Sequence, residues 1–362
     1  MRMDNTYGGL RYYTGGKTKM NKGQKILGKV MTAAFYMMFS VVMSHGQTGF
    51  KTDPYDNLNS DEYLGEFEVV TRVYDDQVFT EGPAVDREGN VYFTNIPVSK
   101  ILKWDPLKNK LSVFRTGSNS ANGLRFTMNG ELLVCEGQPA RLTRTNMKTG
   151  EDTVLAIQYK GKALQSLNDL DFDSNGRIFF SSRTSKPDLQ KENMRSVYRV
   201  DPDGKIHQLL TEPQVHMPNG IVVSPDEKIL YLIEAHGKEN HNRNILAFDL
   251  HEDGSISNRR VLFDFYPGRS GDGMSIDIEG NLYVAAGVHK RRRSSETLDT
   301  RPGIHVISPE GKLLAFRETP EDTITNCIFG GEDLKTLFVT CGSCLLSVRT
   351  KIPGKKSYQP DI

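Results

Sequence analysis

The sequence predicts an all-β protein, a six-bladed β-propeller. Two observations carry that prediction. First, a polar residue opens a short apolar strand six times, at Glu81, Asn122, Asn168, Asn219, Asp272 and Asn326, and the phrase that follows is nearly the same each time. Neighbouring members are 41, 46, 51, 53 and 54 residues apart, close to the length of one four-stranded blade, about 40–50 residues. Second, four repeats place a glycine eight residues on, at Gly89, Gly130, Gly176 and Gly280, and a strand follows each: Val91-Tyr-Phe-Thr, Leu132-Leu-Val-Cys, Ile178-Phe-Phe-Ser and Leu282-Tyr-Val-Ala. The other two repeats have a slightly longer turn before Leu230-Tyr-Leu-Ile and Leu337-Phe-Val-Thr.

Taken in order, residues 1–46 read as an extension and a secretory signal. Lys22, Lys25 and Lys29 precede an apolar stretch from Val30 to Met43, and Ser44-His-Gly46 offers small residues for cleavage before Gln47. Met20 is the expected start. A stretch of 14 residues is short for a membrane span, which takes about 20. Export to a periplasm or to the outside is therefore expected, with no stable membrane association after cleavage; an uncleaved anchor is the rival. Residues 47–66 are polar and read as a linker. Phe67 to Val73 alternates like a strand and precedes the first repeat, so it is expected to complete the last blade and close the ring. The propeller spans 67–354. Its later strands include Ile101–Trp104, Ser196–Val200, Ile245–Phe248 and Gly303–Ile307, with Asp201-Pro-Asp-Gly204 and Ser308-Pro-Glu-Gly311 as hairpin turns. Residues 355–362 form a polar tail.

Composition narrows the function. With 46 basic and 45 acidic residues the net charge is +1, so nothing draws the chain toward nucleic acid. Lys290-Arg-Arg-Arg293, the one basic run, reads as a solvated loop. Cys341-Gly-Ser-Cys344 has redox spacing but sits on a strand and turn, away from any helix start that would lower a thiol pKa. Cys135 and Cys327 read as small buried hydrophobes. No nucleophile elbow, phosphate loop or dinucleotide fingerprint is present, and no organic cofactor is implied.

In a propeller the innermost strand of each blade lines the central channel, so residues at one repeat position converge around the axis. Here the ring holds two carboxylates and four amides, without nitrogen or sulfur donors. That set suits a hard divalent cation, and its loose equivalence favours calcium over octahedral magnesium. Asn-Gly and Asp-Gly are also turn dipeptides, but that reading leaves Glu81-Gly-Pro unexplained.

The phrases Glu81-Gly-Pro, Asn122-Gly-Leu, Leu133-Val-Cys-Glu136, Leu167-Asn-Asp169, Pro218-Asn-Gly-Ile-Val-Val-Ser-Pro-Asp226, Asp272-Gly-Met-Ser-Ile-Asp277 and Thr325-Asn-Cys-Ile-Phe-Gly-Gly-Glu-Asp333 carry a resemblance. Over residues 78–354 the chain resembles the gluconolactonase, regucalcin and senescence-marker family of six-bladed propellers, most strongly its bacterial gluconolactonase branch. The resemblance implies a metal site at one end of the central channel, with one divalent cation held by Glu81, Asn219 and Asp272. It implies that Asn168 completes the site or holds substrate. The chain departs from that branch at Leu167, at Ser181-Ser-Arg183 and at Glu136-Gly-Gln-Pro139. These positions lie near the expected pocket mouth and bear on substrate choice more than on metal.

A cation with open positions polarises a lactone carbonyl, and Asp272 is the expected base toward the attacking water. Asn122, Asn168 and Arg141 are candidates for bonding the hydroxyls of a sugar lactone, and His216, His236 and His289 for a proton role. The expectation is a lactonase, a carboxylic ester hydrolase acting as a monomer on a small sugar-acid lactone. Calcium is the expected ion, with zinc, magnesium or manganese as substitutes in assay. The alternatives are a phosphotriesterase or esterase using the same site, and a non-enzymatic ligand-binding propeller.

Overall fold

The computed structural model describes residues 53–356 except 185 and 187; the signal-peptide reading and the end of the tail lie outside the described residues. Six four-stranded antiparallel sheets follow one another along the chain. Their innermost strands are Thr80–Val85, Leu124–Phe126, Leu167–Phe172, Pro218–Val223, Gly271–Ile276 and Ile324–Gly330. Each inner strand touches the next, and the sixth returns to the first. The N-terminal strand Leu64–Arg72 pairs with Cys344–Thr350 and forms the outer edge of the sixth blade, joining the two ends of the propeller. Among the described residues no helix is long and apolar enough to cross a membrane.

The hydrophobic core is six cores, one between each pair of neighbouring blades. Val85, Phe93 and Trp104 of blade one meet Ile328 and Phe338 of blade six, and Tyr92 and Ile101 face Leu124 and Leu132 of blade two. The same arrangement repeats between blades two and three, three and four, four and five, and five and six. A sheet packed on both faces buries every residue of its inner strands, as Val91–Asn95 and Ile178–Ser182 do. That is why these strands read as apolar runs rather than alternations. Outer strands such as Lys110–Thr116 are mostly exposed and polar.

The repeated polar-Gly phrase has a different cause from the turn chemistry its dipeptides suggest. In blades one, three, four and five the inner strand spends three residues where its partner spends two, for example between Glu81 and Ala84 against Thr94 and Tyr92. Such a bulge re-aims the side chain at its start. The glycine after the polar residue lies against the next blade. A Cβ at Gly123 would stand 2.7 Å from the Asn168 carbonyl oxygen, and one at Gly220 would stand 2.7 Å from that of Asp272. Gly220→Ala is expected to cost about 1–3 kcal/mol, the scale of overpacking, read as a lowered denaturation midpoint; an unchanged midpoint would mean that the blades give way freely.

The segment read as a linker packs on blade five in its described part. The Tyr55 hydroxyl meets His305 Nε2 at 2.9 Å, and Ser60 Oγ accepts from the Phe316 N–H. The start of the tail docks too. The Lys355 N–H donates to the Ile276 carbonyl, and its ammonium lies 3.5 Å from the buried Asp171 carboxylate. Burial alone would raise the Asp171 pKa, but Lys355 and Arg125 hold it below the usual value. These groups gather at the inner-strand ends remote from Glu81 and Asp272, where Lys355 and Lys356 line a small pocket with Arg125, Asp171, Ser275 and Ile328.

Candidate active site

At the other end, Glu81, Asn122, Asn168, Asn219 and Asp272 converge on one cavity of about 170 Å³. Five of the six ring members therefore meet, each from a different blade. The sixth does not: the Asn326 amide donates to Asp169 Oδ2 at 3.1 Å and its oxygen accepts from the Cys327 N–H. Asp169 takes the place of the glycine in blade three, so its longer side chain reaches across the channel and claims Asn326.

Glu81 and Asp272 are both buried, 4% and 7% exposed. Among the described residues Glu81 accepts a single hydrogen bond, from the Gly82 N–H. Burial, then the charges of Asp272 and Asp169, push its pKa well above the usual carboxylate range. Asn219 Nδ2 donates to Asp272 Oδ1, which turns the Asn219 amide and leaves its oxygen open. The side-chain amides of Asn122 and Asn168 make no hydrogen bond with any described residue. Two repelling carboxylates with open amide oxygens around them are a donor set that a hard divalent cation would neutralise. Among the described residues no three His, Cys, Asp or Glu side chains cluster as metal ligands; this set instead joins two carboxylates to amides.

Arg141 is not among the residues lining the cavity. Its guanidinium pairs with the buried Glu136, which also accepts from Asn119 and Thr143. That carboxylate takes up the arginine proposed for substrate, because blade two turns both residues onto the same strand pair. His289 pairs with Glu318, and His216 stands beside His236 and His241; neither His216 nor His289 lines the cavity. His236 does. Burial, with His241 and His216 nearby, lowers its pKa to about 4, and its Nδ1 accepts from the Lys238 N–H. A neutral His236 therefore carries its proton on Nε2 and is a donor to a ligand, not a base.

Several cavity residues lie outside the repeat: Arg183, Arg243, Arg269, Arg293 and Glu296. They come from segments leaving the second strands of blades three to five and from the approach to blade five, which share no phrase. Only the departure at Arg183 and the basic run ending at Arg293 marked any of them in sequence. Glu296 is buried; Oε1 lies 3.3 Å from Arg269 Nη1, while Oε2 has no hydrogen-bond partner among the described residues. Such an oxygen is an acceptor awaiting a ligand donor. Arg269 also lies 3.7 Å from Asp272.

Glu234 supports the approach to Asn219. Its two oxygens accept from the His216 and Met217 N–H groups, and burial raises its pKa from 4.5 to about 7. An acid with a raised folded pKa contributes stability below its unfolded value and loses it as pH climbs through the folded one. Stability from this group therefore falls between pH 4.5 and about 7, and the same shift in Asp169, to about 6, acts in the same direction. Glu234→Gln is expected to remove about 3 kcal/mol of pH-dependent loss between about pH 4 and pH 8. Denaturation at both values checks this, and an unaltered difference would assign the loss elsewhere.

Comparison with known proteins agrees with this geometry. The sequence pattern described as SMP-30/Gluconolactonase/LRE-like region matches residues 79–343. The gluconolactonase of Zymomonas mobilis is 28% identical, over 76% of this chain and 80% of its own. Regucalcin of Bos taurus is 28% identical, over 72% and 82%. A solved gluconolactonase structure from Xanthomonas campestris superposes with a TM-score of 0.67 at 26% identity, covering 81% of this chain and 93% of that one. A calcium-binding regucalcin from Agrobacterium tumefaciens gives 0.62 at 18% identity over 82% and 97%, a likeness of fold alone. The matched span runs from just before Glu81 to just beyond Asn326, and the chain belongs to the SMP-30/gluconolactonase/LRE-like family.

Proposed function

We propose that the protein is a lactonase that opens the ring ester of a sugar acid with the help of one divalent cation, calcium first. The observation that carries this reading is the meeting of Glu81, Asn168, Asn219 and Asp272, from four blades, in one small polar cavity. The gluconolactonase relatives support the reaction class, and the all-oxygen set of two carboxylates and amides supports calcium as the ion. Glu81, Asn168, Asn219 and Asp272 would hold the cation, which when bound supplies Lewis-acid polarisation of an ester carbonyl. Asp272, oriented by the Asn219 amide, takes the proton from the attacking water. Asn122 and Glu296 bond sugar hydroxyls, one as an uncommitted amide and the other through its unpartnered oxygen. His236 donates toward the departing oxygen from Nε2. Arg293 is exposed and lines the cavity, so substrate enters past it.

A phosphotriesterase or general esterase would share the oxygen cage. The cavity favours the lactone, because about 170 Å³ is below the roughly 300–1,000 Å³ of sites for drug-sized ligands, and its polar lining suits hydroxyls. Chelation is expected to abolish opening of D-glucono-1,5-lactone, and added calcium to restore it. Turnover indifferent to chelator would end the cation mechanism. Turnover of organophosphate esters without any lactone would favour the rival chemistry, and no turnover of either would favour a binding propeller.

A further inference from the structure

Four arginines and three carboxylates line the cavity: Arg183, Arg243, Arg269 and Arg293 against Glu81, Asp272 and Glu296. Its formal charge is thus 4 − 3 = +1, and a divalent cation would raise it. Two of the arginines are accounted for by the chain itself. Arg243 donates to the carbonyls of His236, Lys238, Pro267, Gly268 and Ser295 and to the Ser295 hydroxyl. Arg269 faces Asp272 and Glu296.

Arg183 and Arg293 have no such account: neither side chain makes a hydrogen bond or an ion pair with any described residue. Arg183 is partly buried, directly after the second strand of blade three. It is drawn by the charges of Asp272 and Glu81 and repelled by Arg269 and Arg293, so the guanidinium groups share one space against their own repulsion. Arg293 comes from the basic run that the sequence presents as a solvated loop. It is exposed and lies against Gly237, where a Cβ would fall 1.4 Å from its Nη1. The backbone of blade four is thus left bare where this guanidinium passes over it into the cavity. A neutral sugar lactone offers these two guanidinium groups hydroxyl and carbonyl oxygens as acceptors but no opposite charge to balance theirs.

We propose that the substrate is a lactone carrying a second, acidic group, a carboxylate or a phosphate, which Arg183 and Arg293 receive. The guanidinium fork matches both oxyanions. The proposal rests on the lactonase reading and sharpens it. One ring with one acidic arm suits so small a cavity.

The test compares kcat/KM on calcium-loaded protein for neutral D-glucono-1,5-lactone, for D-glucaro-1,4-lactone with its free carboxylate, and for 6-phospho-D-glucono-1,5-lactone. One acidic lactone is expected to be preferred over the neutral one by at least about tenfold, and which one distinguishes carboxylate from phosphate. Arg183→Gln should cut that preference about 10–100-fold, the scale of a charge-assisted hydrogen bond, Arg183→Lys should cut it less, and Arg293→Gln should cut it in the same direction. A preference for the neutral lactone, or a ratio unmoved in both glutamine variants, overturns the proposal while leaving lactone opening intact. Calorimetric binding of glucarate, 6-phosphogluconate and gluconate tests the pair without turnover. If no lactone is opened, tighter binding of an acidic sugar acid that weakens in Arg183→Gln still supports the arginine site, and equal binding of all three overturns it.

Discussion

Glu81→Gln is expected to weaken calcium binding by at least about 100-fold, the scale on which ligand charge tunes calcium sites, while the propeller stays folded. Glutamine keeps the shape and one oxygen but removes the charge. Glu81 is buried, accepts only the Gly82 N–H among the described residues, and is pressed by Asp272 and Asp169. Arg183 offsets this charge only in part, and an under-compensated buried charge is costly, so the chelated variant should melt higher than chelated wild type. The order should reverse with calcium. A ligand at 100 times its Kd stabilises by about 2.7 kcal/mol, and only wild type should gain that much. Calorimetry and thermal melts with and without calcium read both effects. Equal affinity in the two proteins would remove Glu81 from the site.

Asp272→Asn is expected to lower kcat for lactone opening by about 10²–10⁴-fold, the range of general acid–base catalysis. The oxygen that accepts from Asn219 Nδ2 is retained in an asparagine, so the local geometry should survive. The negative charge and the ability to take a proton do not. Asp272 is assigned two roles, ligand and base, and saturating calcium separates them. If full kcat returns at high calcium, Asp272 holds the ion and another group takes the proton. Glu296 would then be the group to substitute next, because its Oε2 stands in the cavity without a partner among the described residues.

The architecture was legible because a propeller writes itself six times. Packing on both faces makes each second strand an apolar run, and the bulge with its close inter-blade approach makes the polar-Gly phrase. Even so, its Asn-Gly and Asp-Gly dipeptides, each taken alone, read as turn chemistry. Only the neighbouring backbone, as at Gly123 against Asn168, explains why glycine is needed there. Asn326 shares the repeat position but not the cavity, since one substitution in another blade, Asp169 for glycine, redirects it.

The rest of the cavity was less legible for a physical reason. Arg269, Arg293 and Glu296 reach it from connections whose paths depend on folding, and no period marks them. Arg141 had the right chemistry and lay near the right blade, but the buried Glu136 takes its guanidinium. Charge alone does not tell a loop that faces water from one that turns inward. In the basic run, Arg292 pairs with Asp322, whereas Arg293, though exposed, lines the cavity. The tail shows the same limit, because Lys355 is polar and yet meets a buried carboxylate.

The central claim is that oxygens from four blades hold one cation, and diffraction from crystals grown in calcium tests it most directly. The account predicts a single strong peak about 2.3–2.6 Å from oxygens of Glu81, Asn168, Asn219 and Asp272, the range of calcium coordination. A calcium-saturated crystal with no peak in this cavity, or with the ion held by other side chains, would contradict it.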